Sequence, residues 1–168
     1  RGDYIYVTQS TLELVETKSG KLMSCVYCFH LDDHDVHCTN TLADENILCT
    51  FITENPKCQY GVDGIIFDRE GRLIIGNFGD GSIWRLTLSA DGSKMIDKEL
   101  WCVNTDQLLT TDGMTMDDHG NIYVADFSAN AIGKISPEGV ITRIAQSPDC
   151  TGWEGGLDEP GEPCFWNG

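Results

Sequence analysis

Asp112-Gly113-Met114-Thr115-Met116-Asp117-Asp118-His119-Gly120 followed by Asn121-Ile122-Tyr123-Val124-Ala125-Asp126-Phe127 repeats an earlier stretch of the same chain. That stretch is Asp63-Gly64-Ile65-Ile66-Phe67-Asp68-Arg69-Glu70-Gly71 followed by Arg72-Leu73-Ile74-Ile75-Gly76-Asn77-Phe78. Every matched pair is 49 residues apart, 63 with 112, 68 with 117, 71 with 120 and 78 with 127. Each copy runs from a short apolar stretch through an Asp-x-x-Gly turn into a second apolar stretch, the pattern of successive antiparallel strands. A third β-like run follows at Ile83-Trp84-Arg85-Leu86 and Ile132-Gly133-Lys134-Ile135, and a fourth at Met95 to Val103 and Val140 to Ala145. Four short strands in about 50 residues, repeated and without 3.6-residue periodicity, are propeller blades rather than helical repeats.

Traces of further blades lie on both sides. Gly2-Asp3-Tyr4-Ile5-Tyr6-Val7-Thr8-Gln9 resembles Gly120 to Asp126, and Gly161-Glu162-Pro163-Cys164-Phe165-Trp166-Asn167-Gly168 resembles an opening strand, with Glu162 falling 50 residues after Asp112. The expectation is an all-β chain, one β-propeller domain over residues 1–168, begun and broken off inside blades. It would cover roughly three blades of a six-bladed ring, because fewer blades cannot cover one another's faces.

In a propeller the innermost strand of each blade runs along the central channel. The residue at its start is presented at one mouth, where this repeat places Asp63, Asp112 and Glu162. Carboxylates converging on one axis repel one another unless a cation neutralises them, so the pattern points to a calcium-type site. The bland alternative is that an Asp before Gly only bonds local backbone, and that reading is taken for Asp68 and Asp117 in the hairpin turns.

The stretch Asp112 to Ala125 resembles the signature strand pair of the SMP-30/gluconolactonase/LRE-like family, six-bladed calcium-dependent lactonases that include Drp35-like enzymes. The resemblance implies that Asp112 is both metal ligand and acid/base. Asp63 matches a ligand position that is usually Asn in the family. Glu162 resembles the metal-binding glutamate of a motif that the family carries in its first blade. The function implied is calcium-dependent, or other divalent-cation-dependent, hydrolysis of sugar or related lactones, with a small-molecule lactone as partner. Two readings from other classes stand beside it: a non-catalytic binding propeller, and a strictosidine-synthase-like propeller that needs no metal.

Composition narrows the partners. The 168 residues carry 27 acidic against 11 basic side chains, a formal charge of −16, which repels phosphate backbones and anionic lipid surfaces. Nucleic acid and membrane are therefore not expected partners; oligomeric state is not encoded in any motif. Eight cysteines lean towards an oxidising compartment, secreted or periplasmic, although buried free thiols explain them equally well. The stretch Cys25 to Cys38 gathers three cysteines with His30, His34 and His37, which raises zinc. Leu22 to Leu31 reads as a strand, which would send Cys25 and Cys28 to opposite faces, and a solvated loop is preferred for His34, His37 and Cys38. A long connection is expected between Val7 and Lys21, with Glu13, Glu16 and Lys18 in it.

Overall fold

The computed structural model describes residues 2–12 and 20–166. Glu13, Glu16 and Lys18 of the expected long connection lie outside them. Three antiparallel sheets follow one another along the chain. The first holds β1 (Tyr4–Gln9), β2 (Met23–His30) and β3 (Ile47–Ile52) in that order. The second holds β4 (Val62–Phe67), β5 (Leu73–Asn77), β6 (Ser82–Leu88) and β7 (Met95–Val103). The third holds β8 (Met114–Met116), β9 (Ile122–Asp126), β10 (Ala131–Ile135) and β11 (Ile141–Gln146). Each sheet is an up-and-down meander, as propeller blades are. The strands expected at Leu22 to Leu31 and Met95 to Val103 form as β2 and β7.

The repeat is exact in geometry as well as in letters. At the hairpin between β4 and β5 the Gly71 N–H donates to the Asp68 carbonyl over 3.1 Å, and Gly120 does the same to Asp117 over 3.1 Å. Both glycines have positive φ, 75° and 83°. The Asp68 carboxylate accepts the Arg72 N–H and the Asp117 carboxylate accepts the Asn121 N–H, each at 2.8 Å. These two aspartates are turn-builders, as the sequence reading had them. A single 3-10 turn then follows the second strand in both copies, 78–80 and 127–129, closed by Gly81 in one and Asn130 in the other, both left-handed. Gly and Asn are the residues that enter that region at least cost.

Packing between sheets supplies the core. Strand β5 is buried along its whole length and alternates its contacts. Leu73 and Ile75 join Val26, Cys49, Phe51, Val62, Leu86 and Leu88 in the cluster between the first and second sheets. Ile74 faces the other way and joins Ile83, Leu108, Met114, Ile122, Val124, Ile135 and Ile141 between the second and third. A strand with both faces buried reads as a continuous apolar run, which is what Leu73-Ile74-Ile75 is. Stacked this way, the second sheet sets β4 against β1 on one side and β8 on the other.

The last part of the chain departs from the expectation. Residues 156–166 form no strand, although an opening blade strand was expected around Glu162. Pro160 and Pro163 cannot donate to a ladder. The segment is instead tied to the third blade by separate bonds, among them Gly113 N–H to the Gly161 carbonyl at 2.8 Å and Glu159 N–H to Asn130 Oδ1 at 3.0 Å.

Candidate functional site

The heads of β4 and β8 are built alike. In β4 the register passes from Val62 opposite Asn77 to Ile65 opposite Ile75, so one extra residue is accommodated at Asp63-Gly64. In front of β8, the Asp112 N–H donates to the Ala125 carbonyl, and the Ala125 N–H donates to the Gly113 carbonyl, each at 3.0 Å. A bulge of this kind re-aims a side chain out of the ladder. The two aspartates are thereby turned towards one concavity of about 410 Å³, lined by Asp63, Gly64, Ile65, Asp112, Gly113, Met114, Gly161 and Glu162.

Glycine follows each aspartate for a reason the turn reading does not give. A Cβ on Gly64 would lie 2.2 Å from the Asp112 carbonyl oxygen, and one on Gly113 would lie 2.7 Å from the Gly161 carbonyl oxygen and the Glu162 side chain. The chain at the head of each inner strand passes directly over the glycine of the blade before it. Gly161-Glu162 thus crosses Gly113 much as Asp112 crosses Gly64, which brings Glu162 into the same concavity as the two aspartates.

Their charges are felt. Burial, and then the Asp112 charge, push the Asp63 carboxyl from 3.8 up to about 6. Burial also raises Asp112, opposed by the hydrogen bond from the Gly113 N–H to its Oδ1 at 2.9 Å and reinforced by the Glu162 charge. Among the described residues no hydrogen-bond donor reaches the Asp63 carboxylate and no cationic side chain lines this concavity. Three hard oxygen donors short of positive charge suit a divalent cation such as calcium, which takes six to eight oxygens. In kind, then, the residues fit. In arrangement they line the concavity without closing on a point: no group of three or more His, Cys, Asp or Glu among the described residues is set to hold an ion.

The same statement covers the histidine- and cysteine-rich segment, where His34, His37 and Cys38 are exposed on the loop after β2. Cys25 is fully buried with Leu12 and Tyr27, while Cys28 is only half-buried on the same strand. All eight cysteines are free thiols, so nothing here supports a disulfide framework or the secreted or periplasmic compartment it suggested. No helix among the described residues is long and apolar enough to cross a membrane.

Sequence reasoning passed over the matching residues at the far ends of β5 and β9. Asn77 and Asp126, 49 residues apart, are completely buried. Asp126 accepts the Leu109 N–H at 2.8 Å and the Thr110 N–H and hydroxyl at 3.0 Å each. Asn77 donates to the Ile52 carbonyl at 3.1 Å and bonds the Thr53 hydroxyl at 3.0 Å. Each ties down the segment leading towards its own inner strand, and hence towards Asp63 or Asp112. The available signal was a polar residue closing an otherwise apolar strand in both copies.

Comparison with known proteins agrees with the repeat. Residues 79–153 match the SMP-30/Gluconolactonase/LRE-like region family. A protein of unknown function from Bacteroides thetaiotaomicron superposes with a TM-score of 0.54 at 17% identity, over 97% of this chain and 39% of that one. A catalytically inactive virginiamycin B lyase variant from Staphylococcus aureus gives 0.48 at 16% identity, over 95% and 49%. The calcium-binding protein regucalcin from Agrobacterium tumefaciens gives 0.47 at 12% identity, over 75% and 40%. The chain therefore spans about half or less of the length of these solved structures. No curated protein matches it by sequence.

Proposed function

We propose that this chain contributes the cation- and substrate-binding face of a propeller that hydrolyses sugar or related lactones. One observation carries the reading: Asp63 and Asp112 stand at the same bulged position of successive sheets, and Glu162 joins them in lining one concavity. The match of residues 79–153 to the SMP-30/Gluconolactonase/LRE-like region supports the same reading. Asp63, Asp112 and Glu162 would hold a calcium ion, which when bound supplies positive charge against the negative charge that builds on the lactone carbonyl oxygen.

The chain's own part in the reaction falls to Asp112. Its Oδ1 is engaged by the Gly113 N–H, which fixes the carboxylate and leaves Oδ2 to accept a proton from a water attacking the carbonyl carbon. The ring C–O bond breaks as the tetrahedral carbon collapses, and the proton held on Asp112 passes to the departing ring oxygen, giving the open-chain hydroxy acid. Asp63 serves as an oxygen ligand and not as the base, so Asn, which keeps a ligand oxygen, can replace it there without loss of the base. Gly64 and Gly113 admit the neighbouring chain closely enough for the acids to share one concavity.

The test is hydrolysis of a panel of aldonolactones, followed by proton release, with calcium present and after chelation. Turnover that requires a divalent cation is the expected result. Absence of turnover across the panel with calcium bound would replace the enzyme reading with a binding propeller. Turnover that is indifferent to chelator would remove the cation from the site.

A further inference from the structure

Asp63 and Asp112 are aimed by different means, and the difference identifies a residue that the acid pattern does not. The Asp112 carboxylate is held through its own Oδ1 by the Gly113 N–H at 2.9 Å. Among the described residues the Asp63 carboxylate accepts no such bond, so its direction is set by its backbone alone. That backbone is a bulge, the least constrained part of the ladder.

Three hydroxyls of the first sheet grip this bulge. The Thr8 hydroxyl, near the end of β1, donates to the Asp63 carbonyl at 2.7 Å. Two residues on, the Ser10 hydroxyl donates to the Val62 carbonyl at 3.0 Å. From β2 the Ser24 hydroxyl, fully buried, accepts the Val62 N–H at 3.1 Å. The equivalent carbonyl one blade on, that of Asp112, packs instead against the bare Cα of Gly64. A glycine contact leaves the carbonyl free to tilt, whereas a hydroxyl bond fixes its direction and, through the shared peptide planes, the direction of the Asp63 Cα–Cβ bond.

We infer that Thr8 is a positioning residue that fixes the Asp63 bulge and so aims the Asp63 carboxylate at the acid-lined concavity. The inference rests on the proposed role of Asp63 as a cation ligand. Thr8 is chosen over Ser10 and Ser24 because its bond is to the acid residue itself. It also leaves the packed core untouched: Thr8 is half-buried, and none of the core clusters includes it.

The experiment compares the whole protein with its Thr8→Val and Thr8→Ser variants by three measurements: calcium affinity by calorimetry, thermal stability in chelator, and the carboxyl-carbon NMR resonance of Asp63 in the cation-free protein. Removing one hydroxyl bond is worth about a tenfold change in affinity when the bond serves binding. The expected result is about tenfold weaker calcium binding and a displaced Asp63 resonance in Thr8→Val. Thr8→Ser should restore both, with the Asp112 resonance unmoved throughout. An Asp63 resonance that stays at its wild-type position in Thr8→Val would overturn the inference, as would a loss of affinity that Thr8→Ser fails to restore. If the wild type binds no calcium, the cation reading fails by itself, and the Asp63 resonance still decides whether Thr8 aims the carboxylate.

Discussion

Replacing Asp63 with Asn should stabilise the cation-free protein, and only above acidic pH. Asp63 has a folded pKa of about 6 against an ordinary 3.8, raised by burial first and by Asp112 second. A carboxyl whose pKa is higher folded than unfolded binds its proton more tightly in the native state, so stability falls as pH rises through that interval. Below about pH 4 both states are protonated and the penalty is absent; above about pH 6 both are ionised and it is complete. A shift of about two units corresponds to about 3 kcal/mol at most, and solvent screening at a partly exposed site brings it to about 1–2 kcal/mol. Asn is neutral throughout and escapes the penalty. Urea unfolding followed by tryptophan fluorescence, in chelator, from pH 4 to 8, should show the Asp63→Asn advantage growing across that range and levelling off. With calcium added, the order should reverse, because the wild type gains more from an ion that binds only the native state. A difference between the two proteins that does not change with pH would refute the account of Asp63 as an uncompensated, partly buried charge.

Three further outcomes follow from the geometry. Asp112→Asn keeps an oxygen ligand but loses the proton acceptor, so lactone turnover should fall by about 10² to 10⁴ while calcium affinity, measured by titration, changes far less. Asp126→Ala strands the Leu109 and Thr110 N–H groups in a buried site and should cost about 2–4 kcal/mol in denaturant unfolding, with Asp126→Asn milder because one acceptor remains. Gly64→Ala drives a Cβ to within 2.2 Å of the Asp112 carbonyl and should cost about 1–3 kcal/mol, whereas Gly161→Ala, with no atom within 4 Å of the new methyl, should leave the unfolding midpoint unchanged.

The fold was legible because a propeller writes its period into the chain. Two copies 49 residues apart gave the strand order, the turns at Asp68 and Asp117, and the extent of β7 at Met95–Val103, since each blade repeats the same local chemistry. Asp63 and Asp112 were legible as a pair 49 residues apart, and they line one concavity because the sheets that carry them are neighbours. What escaped was every contact between blades. Asp-Gly at 63–64 and 112–113 reads as a turn pair, and only the neighbouring chain, crossing within 2.2 Å of where a side chain would sit on Gly64, explains the glycine. The bond from Thr8 to Asp63 spans 55 positions and involves a residue that the repeat did not single out. The strand expected at Glu162 illustrates the opposite error, in which a sequence match was carried across Pro163, which cannot donate to a ladder.

The bulges at the heads of β4 and β8 have a consequence for how such a surface changes over time. The extra residue stands outside the two-residue alternation that assigns side chains to one sheet face or the other. An acid there can be exchanged for an amide, a hydroxyl or a larger acid without moving Ile65, Ile75, Met114 or Val124 from their places in the packing. Each blade therefore offers one independently variable position to the shared concavity, and charge and hydrogen-bonding pattern can be revised blade by blade while the stacked sheets stay as they are.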